Sequence, residues 1–524
     1  MPDLLVVGML HTLDPARPAA SAALIRNGRF ERVGTREECE RAAGSDLRFI
    51  ELGEGCAVPG LIDAHGHPLL HARTLTEVRL AGARSEQECV DRVARFASVL
   101  PEGNWVRGSG WDQNLWTTRD FPDAALLSTA TPRHPVALAR VDVHALWCNE
   151  RALRAAGIGP STPDPPGGRI FRREDGSPTG VLIDTAMDLV LRAIPGPGPK
   201  ECEQMLLRSL RALAAAGLTA VHDASAGPEV LDAYARLAER DELPVRVYAM
   251  INGQGPEIDE QMRAWSERRS IGSLCVRSVK LFADGALGSR GAAMFDPYED
   301  DKGNSGLWLL DPRELESRIL RVAAAGFQPS VHCIGDRACA LVLEAFAKVP
   351  RATRPRAEHL QVLRPRDVPL LKKSGAIASM QPTHATSDAA WAEDRLGRRT
   401  ERQRGAYAWR QALDAGAALA FGSDFPVEDI DPRAGIRAAV TRKPAAGPVW
   451  MPEQRLRRDE ALHAFTAGAA WAEFAEDRRG RIREGFDADL TVFRRDVMAV
   501  HADELCSVPV AATVVGGRVV YAGD

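Results

Sequence analysis

His65 and His67 stand one residue apart at the end of an apolar run, Gly60-Leu61-Ile62-Asp63-Ala64-His65-Gly66-His67-Pro68. On a β-strand, residues i and i+2 share a face and lie about 6.5–7 Å apart, so two imidazoles placed this way can converge on one ion. Gly66 puts no side chain between them, and Pro68 stops further strand pairing. More ligand-type residues follow downstream, each on a run of strand-forming residues. Lys280 lies in Val276–Phe282, His332 follows Pro329-Ser330-Val331, His359 follows Arg356-Ala357-Glu358, and Asp424 follows Ala418–Ser423. A lone histidine in such a place is more often a satisfied structural residue. Six ligand-type residues on five strand ends can together offer imidazole and carboxylate to zinc or a similar divalent ion.

The elements that must hold these residues are apolar runs alternating with helical patterns. The runs are Ala57–Ala64, Thr219–His222, Val245–Met250, Val276–Phe282, Gln328–His332, Arg356–His359, Ala376–Met380 and Ala418–Phe421. Helical stretches are expected at Cys202–Ala216, Arg313–Ala325, Arg337–Val349 and Arg404–Ala415. Eight strands with intervening helices predict an α/β fold, a (β/α)8 TIM barrel with its reactive residues at the C-terminal strand ends.

Short β-like runs fill both chain ends. Asn27-Gly28 and Gly516-Gly517 are hairpin turn signals. Residues 1–59 and 478–524 are therefore expected to pair as a composite β-sandwich around a barrel of residues 60–477. A large insertion after the first barrel strand, at about 73–199, ends in Pro195-Gly196-Pro197-Gly198-Pro199 and is expected to cover the barrel mouth.

Composition narrows the class. The 524 residues are 45% hydrophobic, enough for a large core, and carry a formal charge of −4. That balance gives no basic footprint for nucleic acid and no polybasic membrane patch. The nine cysteines are scattered without a C-x-x-C, which excludes a disulfide framework and suits a reducing compartment. The N-terminal apolar run carries an acid and no basic region, so it reads as a strand, and no stretch is long enough to span a bilayer. The cytoplasm is the expected location, with a small-molecule substrate; a homodimer is left open.

Six stretches together resemble the amidohydrolase superfamily, and within it the YtcJ-like metal-dependent hydrolases of the amidohydrolase 3 family. They are Pro59–Pro68, Val279–Arg290, Val331–Ala338, Glu358-His359, Ser379–His384 and Gly422–Val427. The resemblance spans nearly the whole chain. It implies a barrel beside a β-sandwich and a metal site of His65, His67, Lys280, His332, His359 and Asp424. By the same resemblance Lys280 is carboxylated where two metals are present, and the substrate carries an amide or related C–N bond. Metal coordination lowers the pKa of water from about 15.7 to about 7. Asp424 is expected to take the proton of the attacking water and give it to the departing amine.

Other residues are assigned around this centre. Asp284 and Arg290, on the Gly-rich loop after Lys280, are read as substrate contacts. His384, after the seventh strand, is read the same way. Trp111 and His144 in the insertion are read as pocket lining. His222 is a pocket wall or a structural hydrogen-bonding residue. His11, His134, His463 and His501 are left outside the chemistry. Two other readings stand beside the amide hydrolase. One is a mononuclear deaminase or cyclic-amidine hydrolase, the other a binding protein on a dead barrel; loss of a ligand would favour the latter, and all six are present.

Overall fold

The computed structural model describes residues 2–118, 120–140, 145–165 and 168–523. The chain forms two compact units, Met1–Leu69 with Cys202–Asp524, and Leu70–Glu201.

The first unit is built on eight parallel strands: β1 Leu61–Gly66, β2 Leu218–Ala226, β3 Arg246–Asn252, β4 Leu274–Phe282, β5 Gln328–Cys333, β6 Arg356–His359, β7 Ile377–Met380 and β8 Leu419–Phe421. Each pairs with the next in sequence. The ring closes between β8 and β1 just past the strand ends. Asp424 N donates to His65 O (2.7 Å) and His67 N donates to Phe425 O (2.9 Å). The backbones of the candidate ligands thus fasten the barrel shut.

Helices cover the outside. In Pro199–Ala215 the buried Cys202, Leu206, Leu210 and Leu213 recur at helical spacing and make one apolar stripe. Pro312–Ala324 starts on Asp311, whose side chain accepts from Arg313 N and Glu314 N, with Pro312 at the first helical position. These stripes share a core with Val221, Val247, Val279 and Val331 of the strands. Burial on both sides explains why the strands read as continuous apolar runs.

Two expected elements differ from what is observed. The run Ala57–Ala64 is two strands, because Leu47–Pro59 ends in another sheet and β1 begins at Leu61. A Cβ on Gly60 would lie 2.3 Å from the Thr219 hydroxyl, so only glycine fits this junction. The helix expected at Arg404–Ala415 is broken into Glu401–Arg404 and Trp409–Asp414. Tyr407 between them has φ +49°, and its N–H goes to Gln361 O rather than along a helix.

The chain ends meet in one seven-stranded sheet. Its order is Arg518–Ala522, Val510–Val515, Leu490–Phe493, Leu47–Pro59, Asp3–Asp14, Arg17–Arg26, Arg29–Gly34. Both halves contribute to one core: Leu4, Val6 and Ile25 pack with Leu490, Val492 and Val514. The expected sandwich is therefore realised as a single continuous sheet. The helix Arg36–Ala42 covers Leu5 and Leu24 on the other face.

The second unit is a six-stranded sheet with helices Glu86–Ala97, Ala124–Ala130 and Glu150–Ala155, capped by Ser85, Asp123 and Asn149. Trp111, Trp116 and Trp147 lie in its core. No helix among the described residues is long and apolar enough to cross a membrane.

Candidate metal centre

His65 and His67 project from the end of β1 with ring centroids 5.7 Å apart. A Cβ on Gly66 would sit 2.1 Å from the Phe425 ring, so the spacer between them has to be glycine. His332 from β5 and His65 flank His359 from β6, at centroid separations of 4.6 and 4.7 Å. Asp424, past β8, approaches His67 Nε2 at 3.1 Å and His65 Nε2 at 3.7 Å. His384 lies 3.7 Å from the other Asp424 oxygen and stacks on His359. Two ligand sets result, His65–His67–Asp424 and His359–His384–Asp424, each with its donor atoms within 4.8 Å of one another. Lys280 is buried on β4 with Nζ 3.2 Å from His65 Nε2.

The backbone bends to present these groups. His359 has φ +69° and Asp424 φ +62°, left-handed values that side chains rarely adopt. Such residues collect at functional sites, where the surrounding packing holds them. Asp63 ties β1 to the loop carrying Asp424. Its carboxylate accepts from His65 N (3.0 Å), Ser423 N (3.2 Å) and Ser423 Oγ (2.7 Å).

A second layer sets which ring nitrogen faces the centre. His65 Nδ1–H donates to Glu358 Oε2 at 2.6 Å, which turns the Nε2 lone pair toward the centre, where Lys280 Nζ lies against it. Glu358 also accepts from Ser379 Oγ (2.6 Å) and Arg356 Nε (2.7 Å), and the guanidinium helps hold its carboxyl well below the usual range despite full burial. His359 Nδ1 pairs with Gln381 Oε1 at 2.8 Å, so its Nε2 likewise turns toward the centre.

The donor set fits a divalent cation. Burial pushes His65 down to about 4 and His332 to about 3, so both are neutral ligands near pH 7. The buried Nε2 atoms of His332 and His384 have no hydrogen-bond partner among the described residues. Buried polar atoms are rarely left so, and cations held among these five imidazoles and the Asp424 carboxylate would satisfy them.

The match to known proteins agrees with this chemistry. The family model described as "Amidohydrolase family" matches residues 48–521. This chain belongs to the amidohydrolase family. It is 32% identical to the YtcJ protein of Bacillus subtilis (strain 168), over 98% of both chains. It is 27% identical to the N-substituted formamide deformylase of Arthrobacter pascens, over 99% of this chain and 98% of that one. Among solved structures, an uncharacterized metal-dependent hydrolase from Pyrococcus furiosus superposes with a TM-score of 0.81 at 27% identity, over 95% of this chain and all of that one.

Within this amidohydrolase, several residues expected to contact substrate do other work. Asp284 is fully buried, and its carboxylate accepts from Ala293 N, Ile334 N and Gly335 N at 2.8–3.0 Å; it holds loops together. Arg290 pairs with Asp300, which also takes Arg395, on a partly exposed loop. His222 is buried in β2, where its Nδ1 accepts from Arg356 Nη1 at 2.8 Å; of its two readings, the structural one fits. Trp111 is a core residue of the second unit, its indole N–H donating to Leu138 O at 2.8 Å. His144 lies outside the described residues. His384, assigned to substrate, is brought within ligand range of Asp424.

Sequence reasoning passed over Asp63, Glu358, Ser379 and Gln381. One signal was present: Arg356 and Glu358 at i and i+2 put opposite charges on one face of a four-residue strand. A buried charge there needs its partner nearby.

Proposed function

We propose that this protein hydrolyses an amide or N-acyl C–N bond of a small molecule, with a divalent cation of the zinc type held by His65, His67, His332, His359 and Asp424. The carrying observation is the convergence of His65, His67, His359 and His384 on the one carboxylate of Asp424. The formamide deformylase among its relatives supports the choice of bond. Bound there, the cation supplies an acidified water and a polarised carbonyl.

The chain's own residues do the rest. Asp424 is held well below the usual carboxylate range by its histidines, so it is ionised at neutral pH. It accepts a proton from the attacking water and returns it to the nitrogen of the scissile bond, so that a neutral amine departs. His384, beside the same carboxylate, is placed to orient the substrate carbonyl. Burial pushes Lys280 down to about 8, which raises the share of free amine able to add carbon dioxide. The carbamate so formed is an anion that would bridge two cations. The unmodified amine instead suits a single cation and the deaminase chemistry.

The test combines a metal count with a substrate screen. Metal-stripped protein should be inactive toward N-formyl, N-acyl amino acid, carbamate and lactone compounds, and zinc or manganese should restore hydrolysis of the C–N substrates. Full activity without metal ends this reading, and turnover of the lactones alone moves it away from C–N bonds.

A further inference from the structure

We propose that His11, Cys56 and Asp496 form a second metal site, outside the barrel, for a borderline-soft divalent cation such as zinc. The three donor atoms, imidazole nitrogen, thiol sulfur and carboxylate oxygen, lie within 4.8 Å of one another. The topology of the end sheet brings them together. Cys56 is the register partner of Met9 on the neighbouring parallel strand, so His11, two residues on, shares its face. On its other side Cys56 pairs with Phe493, and the chain returns three residues later with Asp496. Residues 485 positions apart thus meet, with His11 Nε2 2.8 Å from Asp496 Oδ1.

The carboxylate is held in place. Asp496 Oδ1 accepts from Met498 N at 2.8 Å, and its backbone oxygen accepts from Ala499 N and Val500 N. Arg458 lies within charge range of Asp496, but its Nη1 donates to Val497 O (2.8 Å) and Val500 O (2.6 Å), pinning the same turn. Cys56 is fully buried, whereas the His11 and Asp496 side chains are 21% and 25% exposed, which gives an ion a way in.

Sulfur, nitrogen and oxygen donors with one side open to water make a set that zinc accepts as four-coordinate. One thiolate and one carboxylate balance a dication. Without a cation, burial keeps the thiol protonated, which separates this group from an activated nucleophile. A site here would clamp the first strand of the chain to the segment that follows Leu490–Phe493.

Cobalt(II) titration of the full-length, metal-stripped protein tests this independently of catalysis. The barrel centre offers nitrogen and oxygen donors, so a near-ultraviolet thiolate-to-cobalt charge-transfer band reports the second site alone. Cobalt added beyond what the barrel centre takes up should give this band, Cys56→Ser should abolish it, and His11→Ala and Asp496→Asn should each weaken and shift it. Hydrolysis should be unchanged in all three variants. Absence of the band in the wild type overturns the proposal and leaves an ion pair beside a core thiol. So does a band that survives Cys56→Ser and disappears with the exposed Cys506, or one untouched by both partly exposed variants. If Cys56→Ser does not fold, His11→Ala and Asp496→Asn still decide the matter.

Discussion

Toward the C-terminal strand ends, His332 and His384 each keep a buried ring nitrogen with no hydrogen-bond partner among the described residues, while one layer down Glu358 and Arg356 are engaged on every side. Glu358 accepts from His65, Ser379 and Arg356. Arg356 also reaches His222 Nδ1 and Ala64 O. His222 presents its other nitrogen to Glu473 at 3.6 Å, and Glu473 pairs with Arg479 at 2.8 Å. The upper layer has open valences, which suits a centre completed by something from outside. In the lower layer the Glu358–Arg356 pair is fully engaged, which suits a frame, while at its margin His222 Nε2 and Arg479 Nε lack a hydrogen-bond partner among the described residues. An unpaired buried charge would cost several kcal/mol, so Glu358 and Arg356 have to be paired with each other before the centre above them can be left open.

The comparison breaks most visibly at Asp424. Asp424→Asn should lower turnover by roughly 10²–10⁴, the range for a general acid–base, with the melting temperature little changed. Near-normal turnover would remove Asp424 from the chemistry and leave the upper layer with ligands only.

Glu358→Gln separates the layers in the other direction. It weakens the partner of His65, so metal affinity should fall by about 10–100-fold, as for other residues behind a ligand. It also leaves Arg356 facing a neutral group, and stability should drop by about 3–5 kcal/mol in urea unfolding. A variant that loses stability but binds metal normally would show that the frame does not orient His65.

Acid should dissolve the layers at different pH. In the metal-stripped protein, His65 and His332 are held below their ordinary 6.5, at about 4 and about 3. Their contribution is present above pH 6.5 and is lost as pH falls from there toward 3. Glu473, lowered from 4.5 to about 2, contributes stability above 4.5 that is lost only as pH falls from 4.5 toward 2. Melting temperature against pH should therefore flatten between 6.5 and 4.5 in His65→Gln, and only below 4.5 in Glu473→Gln. The same slope in both variants would mean one titrating unit rather than two.

The smallest effect is expected at Ser379→Ala. It removes one of the hydrogen bonds to Glu358, costing about 1 kcal/mol, with less than tenfold change in metal affinity. A larger loss of metal than of stability would place Ser379 in the orientation of His65.

Much of the barrel is legible in the sequence because parallel strands buried on both faces leave local apolar runs. β6 has the expected bounds, and most other strands lie within two or three residues of theirs. The H-x-H pair is legible for the same local reason. The misread places are those where a distant contact overrules the local pattern. Gly60 divides an apolar run because Thr219 lies against it, and Tyr407 breaks a helix because Gln361 takes its backbone N–H. Asp284 reads as a substrate group in a Gly-rich loop, yet three backbone donors, from residues 9 to 51 positions away, consume it.

The sequence by itself determined the family, the alternation of strand and helix, and the residue types at the strand ends, since each is written in windows of a few residues. Only the tertiary structure decided which of those residues share an interior. His65 meets Glu358 across 293 positions, and His384 comes to lie 3.7 Å from Asp424. Such meetings depend on ring closure between β8 and β1 and on the buried charges that must pair once water is excluded, and neither leaves a periodic trace along the chain.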